Sequence, residues 1–155
     1  MAKKMALIAT KGTLDMAYPP FILASTAAAL DWEVQIFFTF YGLQLLRRDI
    51  SDIKLSPLGN PAMPMPVPLP VFAQMLPGME AMATMMMNAK LKAKGVASLT
   101  ELRALCQEAG VKFIACQMTV DLFDFKNSDF LDGVEYGGAA TFLDFAGESD
   151  VCLFI

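Results

Sequence analysis

Val111-Lys112-Phe113-Ile114-Ala115-Cys116-Gln117-Met118-Thr119 is the stretch that decides how this chain folds. Its first five residues are an apolar run containing β-branched and aromatic side chains, the composition of a strand buried on both faces. From Gln117 to about Phe125 the composition turns helical. A strand that passes straight into a helix is half of a βαβ unit, and repeated units of this kind build a parallel sheet with helices on both faces and right-handed crossovers.

Cys116 stands at that junction. The free amides and positive dipole end of the following turn favour a thiolate there. The plainer reading is a small buried hydrophobe, since free cysteines are among the most buried residue types. Both readings stay open on residue type alone, and position favours the reactive one. With no histidine in the chain, chemistry at this sulfur runs without an imidazole base, which favours direct sulfur chemistry over hydrolysis. Thr119 and the nearby amides suit a bound sulfur anion.

Outward from this junction the alternation repeats. Strands are expected over 5–10, 34–40, 111–115, 133–136 and 151–155, the last of them buried. Helices are expected over 16–30, capped by Asp15 with Pro19 and Pro20 in the first turn, then from Tyr41-Gly42 through Arg48, and over 78–94 with Met79, Met82, Met86 and Leu91 near one face. Ser98-Leu99-Thr100-Glu101 is a capping box that starts a helix ending near Gly110, with Leu99, Leu102, Cys106 and Ala109 as its apolar stripe against the sheet. A last helix covers 138–146. The fold class is α/β: a three-layer α/β/α domain with a mainly parallel, roughly five-stranded sheet.

Ligands of such sheets bind beyond the carboxyl ends of the strands. That edge gathers Lys11, Gly12 and Thr13, then Tyr41 and Gly42, then Cys116, Gln117, Met118 and Thr119, and finally Gly137 and Gly138. Gly137-Gly138 lacks dinucleotide-fingerprint spacing and reads better as a turn. Asp121 and Asp124, three apart on a helix, read as solvated or cap-related, although Asp121 is near enough in sequence to influence the sulfur. Cys106 and Cys152 both read as core, and neither forms a CxxC pair with Cys116.

Hydrophobic residues make up 55% of the 155, charged residues 18%, and mean hydropathy is +0.47. That is more apolar surface than one small core consumes, so a homo-oligomer is expected. The surplus concentrates at about 55–89, where Glu80 is the only charge and seven of nine prolines and eight of twelve methionines lie. Prolines exclude regular helix from 57 to 70. Thioethers suit Cu(I), but interleaved Val67, Leu69, Val71, Phe72 and Leu76 favour a subunit interface or a lid, using Phe72, Met75, Leu76, Met79 and Met82. A shallow membrane contact is the less favoured use. Net charge is −4 without a substantial basic cluster, which argues against nucleic acid. The N-terminus lacks a secretory apolar region and three widely spaced cysteines make no disulfide framework or zinc site, so free thiols in the cytoplasm, without metal or cofactor, are expected.

These residues resemble the DsrE/DsrF-like family of sulfur-relay proteins, in its DsrE-type sulfurtransferase, peroxiredoxin-like branch. The likeness covers nearly the whole chain: the opening strand and turn, residues 24–29, 33–43, the Met/Pro segment, and 111–119 with Asp121 and the later 133–141. It implies a single DsrE-like domain over 1–155 of flavodoxin-like appearance, with the Met/Pro segment as an insertion and Cys116 as the sulfur-carrying cysteine. It further implies partners among TusA-like sulfur carriers, rhodaneses and thiol-disulfide oxidoreductases. A second suitably placed cysteine is missing, which argues against a two-cysteine peroxidase cycle. The leading expectation is a sulfur carrier or sulfurtransferase-like protein that relays persulfide or thiosulfonate sulfur between protein thiols. The alternative is a homo-oligomeric, non-catalytic module for a small anion or nucleotide.

Overall fold

The computed structural model describes residues 1–55, 71–74 and 76–155. The proline run expected to lack helix, from 57 to 70, and Met75 of the expected interface lie outside the described residues. Five strands form one sheet: β1 (Lys4–Ala9), β2 (Glu33–Phe38), β3 (Lys112–Cys116), β4 (Glu135–Gly137) and β5 (Val151–Phe154). They lie in the order β4-β3-β2-β1-β5, and every pairing is parallel. Successive crossovers thus run one way from β1 to β4, and only β5 returns to the other side of β1.

Among the described residues six α-helices accompany them: α1 (Leu14–Ala29), α2 (Val71–Gln74), α3 (Met79–Ala93), α4 (Leu99–Glu108), α5 (Gln117–Leu122) and α6 (Ala139–Ala146). Side chains alternate across a strand, so each strand feeds two cores. Leu7, Ile36, Phe38, Phe113 and Ala115 join the larger core with Phe21 of α1 and Leu99 and Cys106 of α4. Ala6, Phe37, Ile114 and Cys116 face the other way and meet Phe142 and Phe145 of α6. Helices therefore cover both faces, as the alternating pattern requires. Phe21, Phe38 and Phe113 interlock with ring centroids 5.5 to 6.0 Å apart, each burying a side chain worth about 1.5–3 kcal/mol on removal from water.

Local differences from the sequence expectations have physical causes. Thr13, not Asp15, is the N-cap residue of α1, which starts two residues early and places Pro19 and Pro20 inside the helix instead of in its first turn. Strand β2 stops at Phe38, because Phe40 takes a left-handed conformation (φ 48°) and the chain winds into a 3₁₀ helix over Phe40–Leu46. Helix α3 does not turn its methionine face inward: Thr84 is its buried residue, and Met82, Met85 and Met86 are exposed. The Thr84 hydroxyl accepts from the Leu55 amide at 2.9 Å and donates to the Glu80 carbonyl at 2.8 Å, so a polar clip fixes the helix. Ser98 and Glu101 form the expected capping box. The stripe of α4 differs, with Arg103 buried and Ala109 exposed. Arg103 donates to the carbonyls of Leu45, Arg47 and Arg48, which satisfies the carboxyl end of the 3₁₀ helix.

Candidate functional site

Register places the site before any side chain is considered. Ala115 pairs with Phe38 across the β2–β3 ladder, so Cys116 and Thr39 follow at adjacent strand ends and share the face opposite the larger core. Gly137 of β4 pairs with Cys116 on its other side. Cys116 is also the N-cap residue of α5, with extended backbone, and only 5% of it is exposed. Thr119 is three residues further on, where an N3 side chain turns back towards the cap residue, and it is fully buried. Its hydroxyl lies 3.2 Å from the Thr39 hydroxyl and accepts from the Phe40 amide at 3.3 Å.

The electrostatics of the sulfur follow from these neighbours. Burial is the largest single influence and opposes ionisation. The Thr119 hydroxyl and amide, the Thr39 hydroxyl and the Met118 amide act the other way, and together they hold the thiol below its ordinary pKa. Cys106 shows burial without such compensation: its thiol is pushed up to about 12. Its sulfur donates to the Phe21 carbonyl at 3.4 Å, which places it on the α1–α4 seam and not simply against the sheet. Cys152, read as core, is exposed on β5. The apolar run 151–155 misleads here because β5 is an edge strand, and its expected burial does not occur.

The remaining sequence candidates divide into groups. Lys11, Gly12 and Thr13 meet the β2 turn: a Cβ on Gly12 would stand 2.5 Å from the Tyr41 carbonyl oxygen, and one on Gly42 would stand 2.0 Å from that of Ala9. Tyr41 stacks on Phe123 with centroids 6.0 Å apart, which carries the β2 turn to the end of α5. Gln117 and Met118 are exposed, and the Gln117 amide donates to Asp121 at 2.8 Å. Gly138 is the exposed N-cap residue of α6. Thr39, Phe40 and Phe123 carry no motif and escaped the sequence reading. The signal that finds Thr39 is the strand register, which a single sequence does not contain. Two cavities of about 640 and 280 Å³ lie between α1, α3 and α4, and Cys116 lines neither.

Residues 1–154 match the profile of the DsrE/DsrF/DrsH-like family. The chain belongs to that family. It is 66% identical over 157 residues to the sulfur carrier protein DsrE2 of Allochromatium vinosum, covering 99% of this chain and 98% of the relative. It is 34% identical over 165 residues to the uncharacterized protein YrkE of Bacillus subtilis, covering 99% and 97% respectively. The crystal structure of YchN from E. coli superposes with a TM-score of 0.60 over the whole of both chains at 11% identity, a likeness of fold. In this DsrE/DsrF/DrsH-like domain, hydroxyls and amides occupy the surroundings that an imidazole would share in a cysteine hydrolase. Such a site stabilises a sulfur anion and offers no proton shuttle of histidine type.

Proposed function

We propose that this protein is a cytoplasmic sulfur carrier that holds sulfane sulfur on Cys116 and relays it between protein thiols. The observation that carries the reading is a nearly buried thiol whose hydroxyl and amide neighbours outweigh the burial that opposes its ionisation. The 66% identity to a protein named as a sulfur carrier supports it. The Cys116 thiolate attacks the outer sulfur of a donor persulfide; the donor S–S bond breaks, a new S–S bond forms on Cys116, and the electron pair leaves on the donor thiolate. No external oxidant or reductant is needed. Tetrathionate reacts by the same displacement, leaving a sulfur-bound thiosulfonate on Cys116 and releasing thiosulfate.

Burial suits a carrier, because it admits a one-atom cargo while shielding the persulfide from solvent. The strand-end loops, with Tyr41, Met118 and Gly138 at the surface, form the approach for a partner's thiol, whether a TusA-like carrier, a rhodanese or a thiol-disulfide oxidoreductase. The protein acts as a homo-oligomer.

The test is intact mass after exposure to polysulfide or tetrathionate. Wild type gains a sulfur adduct that peptide mass places on Cys116, Cys116→Ser loses that adduct and keeps at most one on the exposed Cys152, and Cys106→Ala with Cys152→Ser retains it. Equal loading of the Cys116→Ser protein rules out this site, and a wild type that never loads at Cys116 returns the edge to the anion-binding alternative.

A further inference from the structure

Five large apolar side chains reach solvent at the end of the sheet that carries Cys116: Phe40 is 44% exposed, Phe123 39%, and Tyr41, Met118 and Leu122 each more than half. Phe123 joins the three rings, since Tyr41 stacks on it at 6.0 Å and Phe40 meets it edge-on at 6.4 Å. Met118 and Leu122, four apart on α5, share one helical face. Leu122 precedes Phe123, and Met118 precedes Thr119, whose hydroxyl accepts from the Phe40 amide at 3.3 Å. The cluster is therefore continuous with the turn that begins at Cys116. Phe40 holds its place in a left-handed conformation (φ 48°), costly for any residue but glycine, and its half-exposed ring gains little burial in return. Strain of that kind gathers at functional positions.

A single sulfur atom gains nothing from five apolar side chains, so the patch bears on what delivers or collects the sulfur. Aromatic residues and methionine are the types enriched where proteins meet. Charge narrows the partner further. Asp121 and Asp124 are exposed beside the patch, α5 contains no lysine or arginine, and Lys11 and Lys126 lie off that helix, on the loops after β1 and after Phe125. We propose that Phe40, Tyr41, Met118, Leu122 and Phe123 form the docking surface for a second protein, one that presents its reactive cysteine beside an apolar side chain and a basic residue that meets Asp121 and Asp124. The inference rests on the sulfur-carrier reading and adds to it the chemistry by which one protein thiol is chosen over others.

Disulfide exchange in a Cys106→Ala, Cys152→Ser background tests this, with capped peptides whose cysteine carries a thiopyridyl group. The Cys116 thiolate attacks the peptide sulfur, the S–S bond to the thiopyridyl group breaks, and pyridinethione leaves with the electron pair. The peptides are Lys-Phe-Cys-Gly, Gly-Gly-Cys-Gly and Glu-Phe-Cys-Gly. Each rate is divided by the rate with dithiodipyridine, which removes changes in the thiol itself. The Lys-Phe peptide is expected to exceed the Gly-Gly peptide by at least about fivefold, and added salt to reduce the margin. Tyr41→Ser with Leu122→Ser abolishes that margin, and Asp121→Lys moves the preference to the Glu-Phe peptide. Equal ratios for the three peptides, or a preference that survives the double variant, overturn the proposal. A preference for phenylalanine that ignores Asp121→Lys strikes the basic residue from the partner. A lower native mass for the double variant seats a second copy of this chain on the patch and overturns the proposal as well. Circular dichroism identifies a misfolded variant, in which case Met118→Ser reads the same face. Polysulfide loading separates the two readings: loading without peptide preference keeps the carrier and removes the surface, and preference without loading does the reverse.

Discussion

Cys106 is held neutral by its surroundings, and that makes it a sensor of folding. Its thiol is pushed up to about 12 by burial, against about 8.5 for a free thiol. Between these values the unfolded chain releases a proton that the folded chain keeps, so the unfolded state binds fewer protons and stability falls as pH rises. At full effect the slope approaches about 1.4 kcal/mol per pH unit. Chemical denaturation between pH 8.5 and 10 is expected to show a steeper loss for wild type than for Cys106→Ala; equal slopes contradict the buried thiol. Cys116 contributes with opposite sign at lower pH, since its depressed pKa adds stability as pH rises towards the unfolded value. Its place at a strand-to-helix junction was legible from residues 111–119 because a change of periodicity marks such a junction. Cys152 was misplaced for a definite reason: Val151-Cys152-Leu153-Phe154-Ile155 reads as a buried strand, and an edge position is a property of sheet order.

At the scale of elements, the β1 and β2 ends are locked by a close approach that only glycine permits. A Cβ on Gly42 would lie 2.0 Å from the Ala9 carbonyl oxygen and 2.8 Å from its carbon, both backbone atoms. The Thr39 amide donates to that same carbonyl at 3.1 Å, so the contact and the site share one hinge. Gly42→Ala is expected to cost at least about 2 kcal/mol in urea denaturation, since strand ends and not a flexible side chain must move. Gly138→Ala meets nothing within 4 Å and is expected to change stability by less than about 0.5 kcal/mol. Similar losses for the two variants contradict the close packing. Elements themselves were readable where local signals are strong, as in the Ser98 capping box. They were unreadable where a tertiary contact decides: a phenylalanine carries no left-handed preference, so nothing at Phe40 announces that β2 ends two residues earlier. Likewise α3 buries Thr84 because Leu55 supplies an amide from far along the chain, which methionine periodicity could not reveal.

For the whole molecule, the surplus of apolar residues resolves into particular surfaces. Phe72 of α2, Leu76, and Met82, Met85 and Met86 of α3 are all exposed, while Lys90, Lys92 and Lys94 border the same region. An apolar centre with a charged border is the composition of a subunit contact. A native mass that is a multiple of 16.9 kDa is therefore expected by light scattering at micromolar concentration. Met82→Glu combined with Met86→Glu places two charges on the face without touching the Thr84 clip, and is expected to weaken association at least tenfold, about 1.4 kcal/mol, with circular dichroism unchanged. Phe154 on β5 is the competing apolar feature, 74% exposed on the opposite side of the fold's core from α1. Phe154→Glu should leave the mass unchanged if α3 makes the contact. Dissociation by Phe154→Glu, with the methionine double variant still associated, assigns the contact to the sheet edge instead, and a monomeric wild type removes both. The choice matters to the sulfur site, because β5 carries Cys152 on that same sheet face: a contact there buries the exposed thiol, whereas a contact through α3 leaves Cys152 open to alkylation beside a shielded Cys116.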